Sequence, residues 1–250
     1  MRVYCAENYA AMSRRAANII SAQVITKPDS VLGLATGGTP VGAYQRLVEF
    51  YKEGDLSFAE IRSVNLDEYY GLSPRHEQSY RYFMQSNLFD HIDIKPENTH
   101  VLNGLAKDPA EECAKYNQLI EDLGGIDLQL LGMGHNGHIA FNEPGDDFGL
   151  ETHLVTLTER TIEANTRFFE RKEDVPRQAL TMGIKNIMRA RRILMVVSGA
   201  DKAEAVYKAF CGRVTKEVPA SILQLHPDVT LVGDKDALSK LMEAGVPVCG

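Results

Sequence analysis

The chain has 250 residues, of which 44% are hydrophobic and 24% charged, and this balance is typical of a folded globular protein. Its formal net charge of −7 argues against nucleic acid or an anionic membrane as the main partner, although a local group of donors can still bind a small anion. The cysteines Cys5, Cys113, Cys211 and Cys249 form no CxxC pair, so neither a zinc site nor a disulfide framework is indicated. The chain shows neither a signal peptide nor a bilayer-spanning apolar run, and we expect it in the cytoplasm.

Short apolar runs alternate with amphipathic stretches along the chain. A strand and a helix are predicted within residues 1–20. Further strands are predicted at 30–37, within 61–72, and at 98–104, 126–134 and 192–199. Further helices are predicted at 40–54, 79–92, 109–125 and 200–212, and residues 221–245 predict a last strand followed by a helix.

Repeated strand–helix units predict parallel strands with helices on both faces of the sheet, in an α/β fold. Ligands bind beyond the carboxyl ends of the strands in such sheets. Four polar or glycine-rich segments, at 35–40, 65–69, 132–144 and 198–202, follow predicted strands, so we expect them to gather at one edge. No linker rich in Pro, Gly or Ser interrupts residues 1–250, which predicts a single domain.

The segment ATGGTP, at 35–40, joins a predicted strand to a helix. Thr39 is a good N-cap and Pro40 suits the first helical position, so the segment is either a phosphate site or an ordinary tight turn. Its sequence lacks the GK[ST] ending of a Walker A loop, which leaves nucleotide hydrolysis without support. Two cations from distant segments, Arg167 and Lys202, could meet a phosphate there, although each alone is more often a solvated surface charge.

Two other segments carry acid–base groups. Asp67 follows a predicted strand and is followed by Glu68. Either Asp67 is a buried base, or the Asp67–Glu68 pair is a helix cap or a pair of surface acids. In LGMGHNGHIAFNEPG, at 131–145, His135 and His138 lie three residues apart without the helical frame of a zinc site, so a metal is weakly indicated. Proton transfer by one histidine needs fewer groups, and the remaining alternative is a histidine that caps the loop. Gly132 and Gly134 are interpreted as letting the chain turn sharply off its strand.

Taken together, these segments resemble the glucosamine-6-phosphate deaminase family, of its non-allosteric type. The resemblance covers nearly the whole chain, and the stretches that carry it are LATGGTP at 34–40, NLDEYYGL at 65–72, GHNGHIAFNEP at 134–144, ANTRFF at 164–169 and SGADKAEAV at 198–206. It implies a Rossmann-like three-layer α/β/α sandwich with a mostly parallel central sheet. It also implies conversion of glucosamine 6-phosphate and water to fructose 6-phosphate and ammonia, in amino-sugar catabolism.

The resemblance also implies a role for each site residue. His138 would open the sugar ring with Asn136 and Glu143 as its supports, and Asp67 would carry a proton between C2 and C1 through an enolamine. A lid around 160–175 would close over the substrate. The sugar phosphate would be bound by Thr36, Gly37, Gly38, Thr39, Arg167 and Lys202. No metal and no cofactor is implied.

Two departures from the family pattern bear on these expectations. Asn136 stands where some members have Asp, and an amide adds no negative charge beside an imidazolium. Asp146 and Asp147 would repel a phosphate at the position of the family's effector site, so activation by N-acetylglucosamine 6-phosphate is not expected, and both a monomer and a homo-oligomer remain open. The rival functions are a 6-phosphogluconolactonase-like hydrolase, in whose loop Ser-Leu-Phe-Pro usually replaces the FNEP found here at 141–144, and a non-catalytic sugar-phosphate sensor.

Overall fold

The structure is a computed structural model that describes residues 1–145, 148–166 and 169–249. Its strands are β1 (Arg2–Ala6), β2 (Val31–Leu34), β3 (Arg62–Asn65), β4 (Asp67–Tyr69), β5 (Thr99–His100), β6 (Leu128–Leu131), β7 (His153–Thr156), β8 (Gln178–Thr181), β9 (Arg192–Val197) and β10 (Val229–Asp234). Its α-helices are α1 (Tyr9–Thr26), α2 (Gly38–Lys52), α3 (Tyr80–Asn87), α4 (Pro109–Asp122), α5 (Glu159–Asn165), α6 (Ile184–Arg189), α7 (Ala203–Cys211) and α8 (Lys235–Glu243).

The main sheet has seven parallel strands in the order β1-β10-β9-β6-β2-β3-β5. Every residue of β2, β6 and β10 is buried, which requires helices against both faces of the sheet. The predicted α/β/α sandwich with a mostly parallel central sheet is therefore confirmed. Because the strands are parallel, their carboxyl ends meet at one edge of the sheet.

A second, antiparallel sheet of three strands, in the order β4-β8-β7, was not predicted from the sequence. Residues 67–69 were interpreted as part of a polar loop, but they form β4, in which all three residues are buried. An alternation of polar and apolar residues could not reveal this strand, because two of its three buried residues are acids. In the register of the sheet, Asp67 lies opposite Thr181 of β8.

Helix α2 begins earlier than the sequence predicted. Its first residue is Gly38, and its N-cap is Gly37, whose φ of 92° lies in the left-handed region that favours glycine. Thr39 therefore lies inside the helix, and its prediction as the N-cap is wrong. The Tyr9 hydroxyl holds the start of the helix, since it donates to Gly38 O at 3.0 Å and accepts from Gly42 N at 2.9 Å.

The predicted last strand also began too early, because residues 219–225 form a 3-10 helix before β10. In the part of the chain that the structure describes, we find no helix of the length and apolar character needed to cross a membrane.

Candidate active site

The four segments that follow the strand ends do meet at the carboxyl edge of the main sheet, as predicted. They surround a cavity of about 220 Å³. Its described walls comprise Ala35, Thr36, Gly37, Gly38, Thr39, Pro40, Leu66, Asp67, Tyr80, Gly132, Met133, Gly134, His135, Asn136, His138, Ala140, Phe141, Thr161, Asn165 and Lys202. The cavity therefore brings candidate phosphate-binding residues together with candidate proton-transfer groups.

The glycine-rich segment at 36–39 and the turn that carries Lys202 form part of the cavity wall. A buried side chain outside the cavity lining holds each of these two segments by hydrogen bonds. The Tyr44 hydroxyl donates to Ala35 O at 2.6 Å, which fixes the end of β2. The Asp234 carboxylate accepts from the Ser198 hydroxyl at 2.5 Å and from Gly199 N at 3.1 Å, and thereby fixes the turn before Lys202.

A hydrogen-bonded carboxylate, Glu143, lies beside the His138 ring. His138 Nδ1 is 3.3 Å from Glu143 Oε2, a close ion-pair distance whose alignment falls short of a hydrogen bond. The Asn136 amide donates to the same carboxylate oxygen at 2.6 Å and accepts from the His138 backbone N–H at 3.2 Å. Asn136 thus contacts the ring's carboxylate and the histidine backbone. An aspartate at 136 would have no N–H to donate to Glu143.

A threonine from α5 completes this group, and the sequence interpretation had not identified it. The Thr161 hydroxyl donates to Glu143 Oε1, and the Thr158 hydroxyl lies 3.4 Å from the same oxygen. Burial opposes ionisation of Glu143, but the His138 ring, the Thr161 hydroxyl and the Asn136 amide outweigh it and lower the pKa of Glu143 to about 2. Glu143 is therefore a carboxylate at neutral pH.

Gly134 has a different role from the sharp turn that was predicted for it and for Gly132. Gly132 and Gly134 both have a negative or extended φ, so neither needs the left-handed conformation that favours glycine. A Cβ added at 132 would meet open space. At 134, however, a Cβ would lie 2.2–2.5 Å from ring atoms of His138. The missing side chain of Gly134 therefore makes room for the imidazole. Backbone strain occurs nearby at Ala140, a non-glycine residue with φ of 50°.

Asp67 lines the same cavity and is largely buried. It is 7% exposed, and the rings of Tyr80 and Phe141, which are stacked with centroids 6.1 Å apart, also line the cavity. Burial, with a smaller contribution from the neighbouring Glu68, raises the pKa of Asp67 to about 8. In the empty site, Asp67 is therefore predominantly protonated at neutral pH.

Of the two adjacent acids, Glu68 is the helix cap that the sequence allowed, and it caps α3. Its carboxylate accepts hydrogen bonds from the backbone N–H groups of Tyr69 at 2.8 Å, Tyr80 at 2.9 Å and Arg81 at 3.0 Å. It thereby satisfies donors at the start of α3. The cap interpretation applies to Glu68, whereas Asp67 faces the cavity.

Strand β8 holds the histidine loop against β4. The Phe141 backbone N–H donates to the Thr181 hydroxyl at 3.0 Å, and Thr181 is the residue opposite Asp67. The Asn142 amide donates to Met182 O at 2.9 Å, and the Met182 N–H donates to Leu66 O at 2.7 Å. The same short strand therefore positions both Asp67 and the loop of His138.

His135 lines the cavity with 44% of its side chain exposed, and its Nδ1 lies 3.0 Å from Asp201 Oδ2. Arg167, Asp146 and Asp147 lie outside the described residues, so their predicted roles stay predictions. Within the residues that the structure describes, we find no group of three or more His, Cys, Asp or Glu side chains placed to hold a metal ion.

Comparison with known proteins identifies the family. Residues 6–232 match the family model described as glucosamine-6-phosphate isomerases/6-phosphogluconolactonase. The chain belongs to this family. It is 61% identical over 232 residues to a glucosamine-6-phosphate deaminase of Lachnoclostridium phytofermentans, covering 93% of this chain and 98% of the relative. It is 54% identical over 241 residues to one of Clostridium perfringens (strain 13), covering 96% and 100% of the two chains.

Solved structures agree with the family assignment. One described as a monomeric glucosamine-6-phosphate deaminase superposes with a TM-score of 0.94 at 48% identity, covering 96% of this chain and all of that one. A 6-phosphogluconolactonase from Trypanosoma brucei superposes with a TM-score of 0.74 at 19% identity, covering 96% of this chain and 98% of that one, which shows the shared fold alone.

The packing of Gly134 against the imidazole leads to a test. We expect Gly134→Ala to lower turnover by about 100-fold or more with little change in melting temperature, because the added methyl displaces the His138 ring from its proton-transfer position. Steady-state kinetics and thermal unfolding measure the two effects. Gly132→Ala is the matched control, since a Cβ there meets open space. Equal activity of the two variants would contradict this role of Gly134.

The contact between Thr161 and Glu143 leads to a second test. Thr161→Val removes one hydrogen bond that lowers the pKa of Glu143, so we expect the acid limb of the pH–rate profile to shift upward and turnover to fall by about tenfold. Thr161→Ser should restore both. Thr166→Val is the control, because that hydroxyl donates to Ile162 O at 2.9 Å. An unshifted profile in Thr161→Val would count against this account.

Proposed function

We propose that the chain converts glucosamine 6-phosphate and water to fructose 6-phosphate and ammonia, as an aldose–ketose isomerase and deaminase. The observation that carries the proposal is that Asp67 and His138 line one cavity together with the glycine-rich segment at 36–39. The 61% identity to a glucosamine-6-phosphate deaminase supports the choice of substrate.

In this proposal the sugar phosphate lies at the start of α2. Thr36 and Thr39 supply hydroxyl donors, and Gly37 and Gly38 allow the phosphate to approach the backbone at a helix N-terminus. The ammonium of Lys202, from another wall of the cavity, would balance the phosphate charge. Arg167 is proposed as a further phosphate ligand by its family resemblance.

His138 is proposed to open the ring. The imidazole accepts the proton of the O1 hydroxyl and returns a proton to the ring oxygen, and the C1–O5 bond breaks to give the open-chain aldehyde. Glu143 stabilises the imidazolium formed during this transfer, since it is an ionised carboxylate 3.3 Å from the ring. Asn136 and Thr161 hold that carboxylate in place.

Asp67 is proposed to move the proton between carbons. As a carboxylate it removes the proton from C2 while a proton of the substrate ammonium passes to the C1 carbonyl oxygen, which gives an enolamine, and the protonated Asp67 then delivers its proton to C1. Water adds to the resulting imine carbon at C2 and ammonia leaves. The substrate ammonium would favour the ionised form of Asp67, and burial makes that carboxylate a stronger base.

The same proposal includes the organisation of the enzyme. Residues 1–250 form a single domain, and segment 160–175 acts as a lid that excludes water during proton transfer. A monomeric state is supported by the similarity to a monomeric deaminase. Activation by N-acetylglucosamine 6-phosphate is not expected, and the reaction is assigned to the catabolism of amino sugars in the cytoplasm.

The proposal is tested by measuring ammonia and fructose 6-phosphate released from glucosamine 6-phosphate. We expect both products in equal amounts, and losses of about 100-fold to 10,000-fold in Asp67→Asn and His138→Asn, the range for removal of an acid–base group. His153→Asn is the matched control, because its ring contacts Glu151 O and is not among the described cavity walls.

The rival functions give different results in the same experiment. A lactonase would hydrolyse 6-phosphogluconolactone and release no ammonia from the amino sugar. A sensor would bind glucosamine 6-phosphate without turnover. Deaminase activity that survives in the double variant Asp67→Asn, His138→Asn would contradict the residue assignment.

A further inference from the structure

A second cavity, of about 610 Å³, lies along β1, an edge strand of the main sheet. Its strand residues follow β1 from Arg2 to Ala6 and also include Arg192, the first residue of β9, and Thr230, the second of β10. None of its described lining residues belongs to the candidate active site, which lies at the carboxyl ends. We call this cavity the α1 groove.

Helix α1 forms one wall of the α1 groove. Ala11, Arg15, Asn18, Ile19 and Ala22 line it, and their spacing of 4, 3, 1 and 3 residues places them on one helix face. The short alanine side chains leave space that longer side chains would fill. Edge strand β1 supplies the facing wall, so the groove lies between a helix and a sheet edge.

The α1 groove carries positive charge, although the chain as a whole has a formal net charge of −7. Its described lining includes four arginines, Arg2, Arg14, Arg15 and Arg192, and one carboxylate, Glu7. Glu7 is itself paired with Lys235, whose Nζ lies 2.6 Å from Glu7 Oε2. The local potential in the groove is therefore set by guanidinium groups.

Contacts with neighbouring side chains orient three of these guanidinium groups. The Arg15 guanidinium lies over the Tyr4 ring, 4.7 Å from its centroid. Arg192 donates to Gln23 Oε1 at 3.0 Å. Arg2 and Arg192 both pair with Asp228, so a single carboxylate is shared between two cations and offsets only part of their charge.

We propose that the α1 groove is a second ligand site and that its ligand is an organic phosphate. Arginine presents paired N–H donors that match phosphate oxygens, and several arginines suit a ligand with more than one negative charge. A volume of about 610 Å³ exceeds what an inorganic anion fills and lies in the range of small-molecule sites. The apolar side chains of Ala11, Ile19 and Ala22 on the α1 wall would pack against the organic part.

Binding of two probes to the intact protein tests this site. Calorimetric titration in magnesium-free buffer uses ADP and inorganic pyrophosphate, and we expect ADP to bind more tightly because pyrophosphate has no organic part. The double variant Arg14→Gln, Arg15→Gln should weaken ADP binding by at least about tenfold. Arg189→Gln, Arg213→Gln, which removes the same charge from exposed positions outside the groove, should leave it unchanged.

Two further controls separate this site from the candidate active site. Lys202→Ala should leave ADP binding at the groove intact, and the Arg14→Gln, Arg15→Gln variant should keep its melting temperature. Single-residue Arg15→Lys, which keeps the charge but loses the paired donors, should weaken binding by an intermediate amount. The proposal is overturned if the double glutamine variant binds ADP as tightly as the unchanged protein. It is also overturned if Lys202→Ala abolishes ADP binding, or if ADP and pyrophosphate bind with equal affinity.

Discussion

The pairing of two short strands, β4 and β8, determines the geometry on which the rest of the site depends. The register places Asp67 opposite Thr181, and the Thr181 hydroxyl accepts from the backbone of Phe141 in the histidine loop. Asp67 is held by backbone pairing of β4 with β8, and the loop of His138 is held by the Thr181 side chain of β8, so one strand positions both acid–base groups. A site held in this way is rigid where a proton must be moved between neighbouring carbons.

Two carboxylates of the site have environments that shift their pKa values in opposite directions. Glu143 accepts hydrogen bonds from Thr161 and Asn136 beside the His138 ring, which keep it ionised. Asp67 is buried beside Glu68, which favours its protonated form. Such separation of pKa values lets one carboxylate act as a fixed charge while the other exchanges protons near neutral pH.

The sequence predicted the features that follow from local patterns, and it failed where tertiary contacts decide. Alternating strands and helices gave the parallel sheet and the edge at which polar segments meet. The antiparallel sheet was missed because β4 is short and its buried residues include two acids. The start of α2 was placed too late because Gly37, rather than Thr39, is its N-cap. Gly134 acts through its contact with His138, and Thr161 through its contact with Glu143. No sequence pattern predicts either contact.

Titration of Asp67 tests the central claim most directly. Carboxyl ¹³C NMR of the protein labelled at aspartate Cγ, with Asp67→Asn to assign the resonance, gives the pKa of Asp67 in the empty site. We expect a pKa of about 8, because burial and the nearby Glu68 oppose ionisation of Asp67. In the folded protein, ionisation of Asp67 should then lower the free energy of unfolding as pH rises from the ordinary aspartate range through about 8. A pKa near 4, with no decrease in the free energy of unfolding over this pH range, would contradict the claim that Asp67 is a buried base that stays protonated until substrate binds.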